Sequence, residues 1–207
     1  MYDNVRLSAA MRMARAACLL TQQELADEIG VSKSVIARNE KMEMAMRADT
    51  WIRLEHAMRH REIELDLVSQ ADGIRLYMRG KDLDIVAMRV ARAALNITQQ
   101  GLADILGVSK NVVTRGERPG SIMRSDTLGK LLDKAYWLGI KLDWTPMTQD
   151  LTVRIRQYGI EKIEALHRGE PLPDEPEDEL VETPLHEKLS GETPQAYKTQ
   201  KRSLKEK

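Results

Sequence analysis

Shifted against itself by 77 residues, the chain aligns residues 10–40 with residues 87–117 without a gap, and 20 of those 31 pairs are identical. The match resumes at Met46-Arg47 with Met123-Arg124 and at Asp49-Thr50 with Asp126-Thr127. It runs on to Ile63, Leu65 and Asp66 against Ile140, Leu142 and Asp143. A unit of roughly 60 residues present only twice falls short of a solenoid, which usually needs about three. The repeat predicts two tandem domains within 207 residues.

Each unit reads as helical. Residues 11–17, Met-Arg-Met-Ala-Arg-Ala-Ala, are good helix formers, and Thr21 lies three residues before Glu24, the spacing of a capping box that opens a second helix. Gly30 tolerates the left-handed conformation that ends such a helix, and Ser32 is suited to cap a third over residues 33–40. The short turn between them predicts a sharp crossing. Asp49 or Thr50 then starts a fourth helix with Trp51, Leu54, Ala57 and Met58 on one face, echoed by Leu128, Leu131, Ala135 and Leu138. After each unit the period changes to two. Ile63, Leu65 and Leu67, the Asp72-Gly73 turn, and Ile74, Leu76 and Met78 read as a hairpin. Residues 140–144, a break at Pro146, and residues 151–156 read as a second. These hairpins could serve as wings or as edges on which the halves, or two chains, pair.

Composition closes other routes. With 42% hydrophobic and 31% charged residues the chain has the balance of a soluble globular protein. No apolar stretch approaches the roughly 20 residues of a membrane helix, and Arg6, Arg12 and Arg15 interrupt any signal-peptide core, so no membrane association and a cytoplasmic, nucleoid-associated location are expected. One cysteine, Cys18, excludes an intrachain disulfide framework and zinc sites built on paired cysteines. The net charge of 0 hides a segregation: residues 1–168 hold 26 bases against 22 acids, and the rest 6 against 10. Within that remainder, residues 169–192 carry nine acids and one lysine, and residues 193–207 five bases and one acid. With five prolines among few apolar side chains, residues 169–207 read as a disordered acidic-then-basic tail.

The sequences 21–26 Thr-Gln-Gln-Glu-Leu-Ala, 30–32 Gly-Val-Ser and 38–40 Arg-Asn-Glu resemble the helix-turn-helix domains of the lambda-repressor and Cro family. So do 98–103 Thr-Gln-Gln-Gly-Leu-Ala, 107–109 Gly-Val-Ser and 115–117 Arg-Gly-Glu, and the resemblance covers roughly residues 5–65 and 83–143. The fold class it implies is mainly α, with two tandem lambda-repressor-like helix-turn-helix domains, each followed by a short β-hairpin, plus the disordered tail. The corresponding boundaries are 1–62 and 81–140 for the domains, 63–80 for the first hairpin or linker, 141–168 for the second hairpin and a short helix, and 169–207 for the tail.

The resemblance also implies sites. Gln22 and Gln99 would touch the DNA backbone or an edge base at the start of the second helix, where free backbone N–H groups favour phosphate. The recognition helices would present Lys33, Ser34, Ala37 and Arg38, and in the second copy Lys110, Asn111, Thr114 and Arg115, to the major groove. Lys and Arg suit guanine, Asn suits adenine, and a Thr methyl suits thymine. Lys41, Arg47, Arg118 and Arg124 flank these helices where phosphate contacts are expected. Arg15 with Glu40, and Arg92 with Glu117, would form structural ion pairs. One departure from the family pattern, Asn39 and Gly116 in place of a large apolar residue, predicts loosely packed recognition-helix ends; a second is Lys41-Met42 where a glycine commonly follows the closing glutamate.

The expected function is therefore a sequence-specific double-stranded DNA-binding transcriptional regulator, a repressor in the default case and possible in a phage or mobile-element setting by resemblance alone. Further partners weighed are a second copy of the chain through the hairpins or the loop bearing Met42, Met44 and Met46, and RNA polymerase through Glu24, Asp27 and Glu28. Rival roles are an antitoxin-like protein whose tail wraps a partner through Leu180, Val181, Leu185 and Leu189, and an architectural or segregation factor. No enzyme, cofactor or metal is expected: His56 and His60 lack a third ligand at motif spacing, and Cys18 lies among Ala17, Leu19 and Leu20 as a small core residue would.

Overall fold

The computed structural model describes residues 4–67, 73–145 and 148–173. In the first repeat, α1 (Asn4–Ala17), α2 (Gln22–Ile29), α3 (Lys33–Glu40) and α4 (Ala48–His60) precede β1 (Ile63–Asp66) and β2 (Ile74–Arg79). The second repeat gives α5 (Leu83–Leu95), α6 (Gln99–Leu106), α7 (Lys110–Gly116) and α8 (Ser125–Trp137), then β3 (Ile140–Thr145), β4 (Asp150–Ile155) and α9 (Gln157–Arg168). The molecule is thus mainly helical, with two helix blocks each followed by a β-hairpin. The turn residue Asp72, Pro146, and tail residues 174–207 with their apolar anchors lie outside the described residues.

The first helix of each repeat is the centre of the core. α1 buries Ser8, Ala9, Ala10, Met11, Arg12, Met13, Ala14, Ala16 and Ala17, and α5 buries residues around most of its circumference as well. A helix apolar on nearly every side must be enclosed. Small alanines let α1 and α5 approach closely, and this is the most extensive helix–helix contact in the molecule. α1 begins seven residues before Met11, because Ser8, Ala9 and Ala10 are drawn into the same core.

The hairpins join into one four-stranded antiparallel sheet of order β1-β2-β4-β3. Alternation supplies its packed face: Ile74, Leu76 and Met78 of β2, and Leu151, Val153 and Ile155 of β4, are all buried. The two inner strands therefore use each other's edges within one chain, leaving β1 and β3 on the outside. Gly73 is required there, since a Cβ on it would stand 1.9 Å from the Ile155 carbonyl oxygen. At the other end Gly139, at φ 78°, lets its backbone meet Gly159 of α9, where a Cβ would come within 2.4 Å. The buried side chains of both repeats form a single hydrophobic cluster, and Met1–Pro173 is one compact unit.

Candidate nucleic-acid interface

The turn between α2 and α3 is built by local chemistry. The Thr21 hydroxyl accepts from the Glu24 N–H at 3.2 Å, and the Glu24 carboxylate accepts from the Thr21 N–H at 2.7 Å. This box satisfies two of the orphan donors at the helix start. The Thr21 N–H bond, and after it the Thr21 hydroxyl beside the carboxylate, hold the exposed Glu24 carboxyl below its ordinary pKa. In the second repeat Gly101 replaces Glu24, so only the Thr98 hydroxyl remains, accepting from the Gly101 N–H at 3.0 Å. Gly30 and Gly107 take φ of 66° and 62°, reversing the chain before α3 and α7. Ser32 caps α3 by accepting from Val35 N–H, whereas Ser109 precedes α7 without a side-chain cap bond.

A buried carboxylate anchors α3 and α7 from behind. Glu40, 4% exposed, accepts from Arg15 Nε at 2.6 Å and Nη2 at 3.1 Å, and from Gln22 Nε2 at 2.7 Å. Glu117, 5% exposed, accepts from Arg92 Nη2 at 3.1 Å and Gln99 Nε2 at 2.8 Å, with Arg92 Nε in contact as well. The first helix, the start of the second and the end of the third are thereby tied through one group in each repeat. Bidentate, charge-assisted bonds of this kind fix orientation as well as distance.

Ile36 and Val113 point into the core, with Val35 and Val112 half-buried beside them. The opposite face of α3 and α7 is open: Lys33, Ser34 and Arg38 are exposed, as are Lys110, Asn111, Thr114 and Arg115, while Ala37 is half-buried. Among the described residues Lys33, Arg38, Lys110, Arg115 and Arg118 have no acidic partner. Lys41 lies 3.8 Å from Glu43, and Arg47 and Arg124 are drawn to Asp49 and Asp126 at 3.1 and 3.2 Å.

The two faces differ in detail. The Thr114 hydroxyl donates to Gln99 Oε1 at 3.1 Å, so Gln99 is held at both ends of its amide. Ala37 stands at the matching position, and the Gln22 oxygen has no such partner on α3. Ser34 shares a 2.9 Å hydrogen bond with Ser32, while the Asn111 side chain makes no hydrogen bond among the described residues.

Three features escaped the sequence reading. The expectation of loose recognition-helix ends is corrected: Asn39 is fully buried, and Gly116 is buried where a Cβ would meet the Met88 sulfur at 2.9 Å. Met88 fills the space that Gly116 vacates, which a pairwise family pattern does not reveal. Both amide polar atoms of Asn39 lack a hydrogen-bond partner among the described residues. Third, Arg12 is 3% exposed and crosses between the halves, its Nε and Nη2 donating to the Ala93 and Ala94 carbonyls at 2.8 and 3.0 Å and Nη1 to the Glu40 carbonyl at 2.6 Å. Burial pushes its pKa down to about 10, which leaves it charged at neutral pH. The sole signal in the sequence was the repetition of Arg12 as Arg89, which donates to the Glu117 carbonyl at 3.2 Å.

Away from this face, Cys18 is half-buried with Sγ 3.6 Å from Met58 Sδ, and burial raises its thiol to about 11. The His56 and His60 rings meet edge to face at 4.5 Å. No helix among the described residues is long and apolar enough to cross a membrane.

Residues 11–64 match the family described as Helix-turn-helix, so the first repeat carries one domain of a DNA-binding class that is typically non-enzymatic. The second repeat has the same succession of four helices and a hairpin. Comparisons with curated proteins and with solved structures returned no match.

Proposed function

We propose that the protein is a sequence-specific double-stranded DNA-binding transcriptional regulator that uses both α3 and α7 as recognition helices, acting as a repressor by occluding a promoter. The observation that carries this reading is the exposed cation set Lys33, Arg38, Lys110 and Arg115, without acidic partners among the described residues, on helices whose rear is locked by Glu40 and Glu117. A cation that is already placed and unpaired loses little on meeting phosphate or guanine.

In this reading Lys33, Arg38, Lys110 and Arg115 contact guanine edges or phosphates. Asn111 reads adenine, and Ser34, Ala37 and Thr114 tune the same positions. Gln22 and Gln99 keep an amide hydrogen and a helix N-terminus for the backbone. Lys41, Arg47, Arg118 and Arg124 supply flanking phosphate contacts, with Arg47 and Arg124 exchanging Asp49 and Asp126 for DNA. Selection of bound duplexes from random sequence, followed by footprinting, tests the proposal. A defined motif is expected, with affinity falling steeply as salt rises. Recovery of no motif, together with equal competition by single-stranded DNA or RNA, would refute it.

A further inference from the structure

A sequence repeated in tandem suggests two domains reading DNA as a direct repeat, both pointing the same way. The sheet register points elsewhere. In the antiparallel β2–β4 pair, Leu76 faces Val153, Ile74 faces Ile155 and Met78 faces Leu151. Leu76 and Val153 are 77 residues apart, as are Ile74 and Leu151, and Met78 and Ile155. Each strand therefore pairs with its own repeat image, centred on Leu76 and Val153, which is the pairing an isologous dimer makes across a two-fold axis. The other central contact obeys the same operation, since α1 packs on its repeat image α5. The strand order β1-β2-β4-β3 is its own mirror under exchange of repeats.

From this geometry we infer that one chain is a built-in dimer, whose DNA target is an inverted pair of half-sites bound by a single chain. A two-fold rotation preserves height along its axis, so α3 and α7 stand level. They pack on helices, α3 against α1 and α2 and α7 against α6, while the sheet is contacted by α1, α4, α5 and α8. Their C-terminal ends are both tied to the α1–α5 pair. Arg12 joins the Glu40 carbonyl at the end of α3 to the Ala93 and Ala94 carbonyls of α5, and Arg89 reaches the matching Glu117 carbonyl. The two recognition faces thus meet one side of a duplex in opposite directions along it. Rigid attachment through a shared core makes the second contact intramolecular, with no dimerisation step.

This inference rests on the proposed DNA reading, and the experiment separates the two. Five duplexes built from the selected half-site are compared by titration and native mass spectrometry: the pair inverted at the selected spacing, the pair inverted with five base pairs added, the pair in direct orientation, one half-site alone, and a scrambled sequence. The expected result is about 100-fold tighter binding of the correctly spaced inverted pair than of one half-site, with one chain per duplex. The direct and shifted pairs should exceed one half-site by no more than about twofold, the statistical gain of two independent sites on one duplex. Equal affinity for direct and inverted pairs, or two chains on the inverted duplex, overturns the built-in dimer while leaving sequence-specific binding intact. If neither the inverted nor the direct pair binds better than the scrambled duplex, the DNA reading itself is removed, and this inference falls with it.

Discussion

At the scale of single residues, charge is divided between holding the fold and facing outward. Glu40 is buried and satisfied by Arg15 and Gln22, so removing it strands a guanidinium that is three-quarters buried. Glu40→Ala should therefore destabilise the protein by about 3 to 5 kcal/mol, measured by urea unfolding. Lys33→Ala, on the open face, should leave stability within about 0.5 kcal/mol and lower DNA affinity instead. Equal loss of stability in both variants would contradict the division. Asn39 presents the reverse case. Its amide is buried with no partner among the described residues, and an unsatisfied buried polar group costs about 1 to 3 kcal/mol. Asn39→Leu should raise the thermal midpoint, and a fall would mean that the amide is satisfied by bound water that the apolar side chain cannot replace.

At the scale of elements, the helices and hairpins were legible wherever local chemistry decides. The Thr21–Glu24 box, Gly30, Ser32 and the alternation of Ile74, Leu76 and Met78 each act within a few residues, and each element stands where those signals put it. What the sequence left open was non-local. Whether the hairpins were wings or pairing edges depends on β2 meeting β4 across some 75 positions of chain, and no residue near Leu76 announces Val153 as its partner. The packing of Gly116 was hidden likewise, because its space is filled by Met88 from another helix. The candidate interface was legible in composition but not in its bonding: Gln22 and Gln99 are held by Glu40 and Glu117, and only Gln99 is also held by Thr114. The faces of α3 and α7 share the cations and differ at Ser34 against Asn111 and Ala37 against Thr114. Each difference is able to shift base preference by roughly 1 to 3 kcal/mol. Exchanging the α3 pair for that of α7 (Ser34→Asn with Ala37→Thr) should make the two half-sites of the selected operator alike at similar overall affinity. A selected site unaltered by the exchange would show that base preference lies elsewhere.

At the scale of the whole molecule, the two repeats stand or fall together. Their buried side chains make one cluster, α1 lies against α5, and Arg12 is satisfied only when both halves are in place. Thermal and denaturant unfolding should thus be one cooperative transition seen alike by circular dichroism and Trp fluorescence, with two separable transitions counting against the shared core. For the tail, the expected effect is on binding rather than folding. Gly169 and Glu170 close α9 through backbone bonds to Ala165 and Leu166, so the proper cut is after Pro173. Removing 174–207 takes away nine acids and six bases, and changes the net charge from 0 to +3. Tethered acids compete with phosphate for exposed cations in proportion to charge, an effect that screens within about 10 Å at 0.1 M salt. The truncated chain should therefore bind its operator more tightly than the full chain at low ionic strength, and the gap should close as salt rises. Identical affinities at every salt concentration would assign the tail no electrostatic part in DNA binding, and a gap that persists at high salt would point to a contact other than charge.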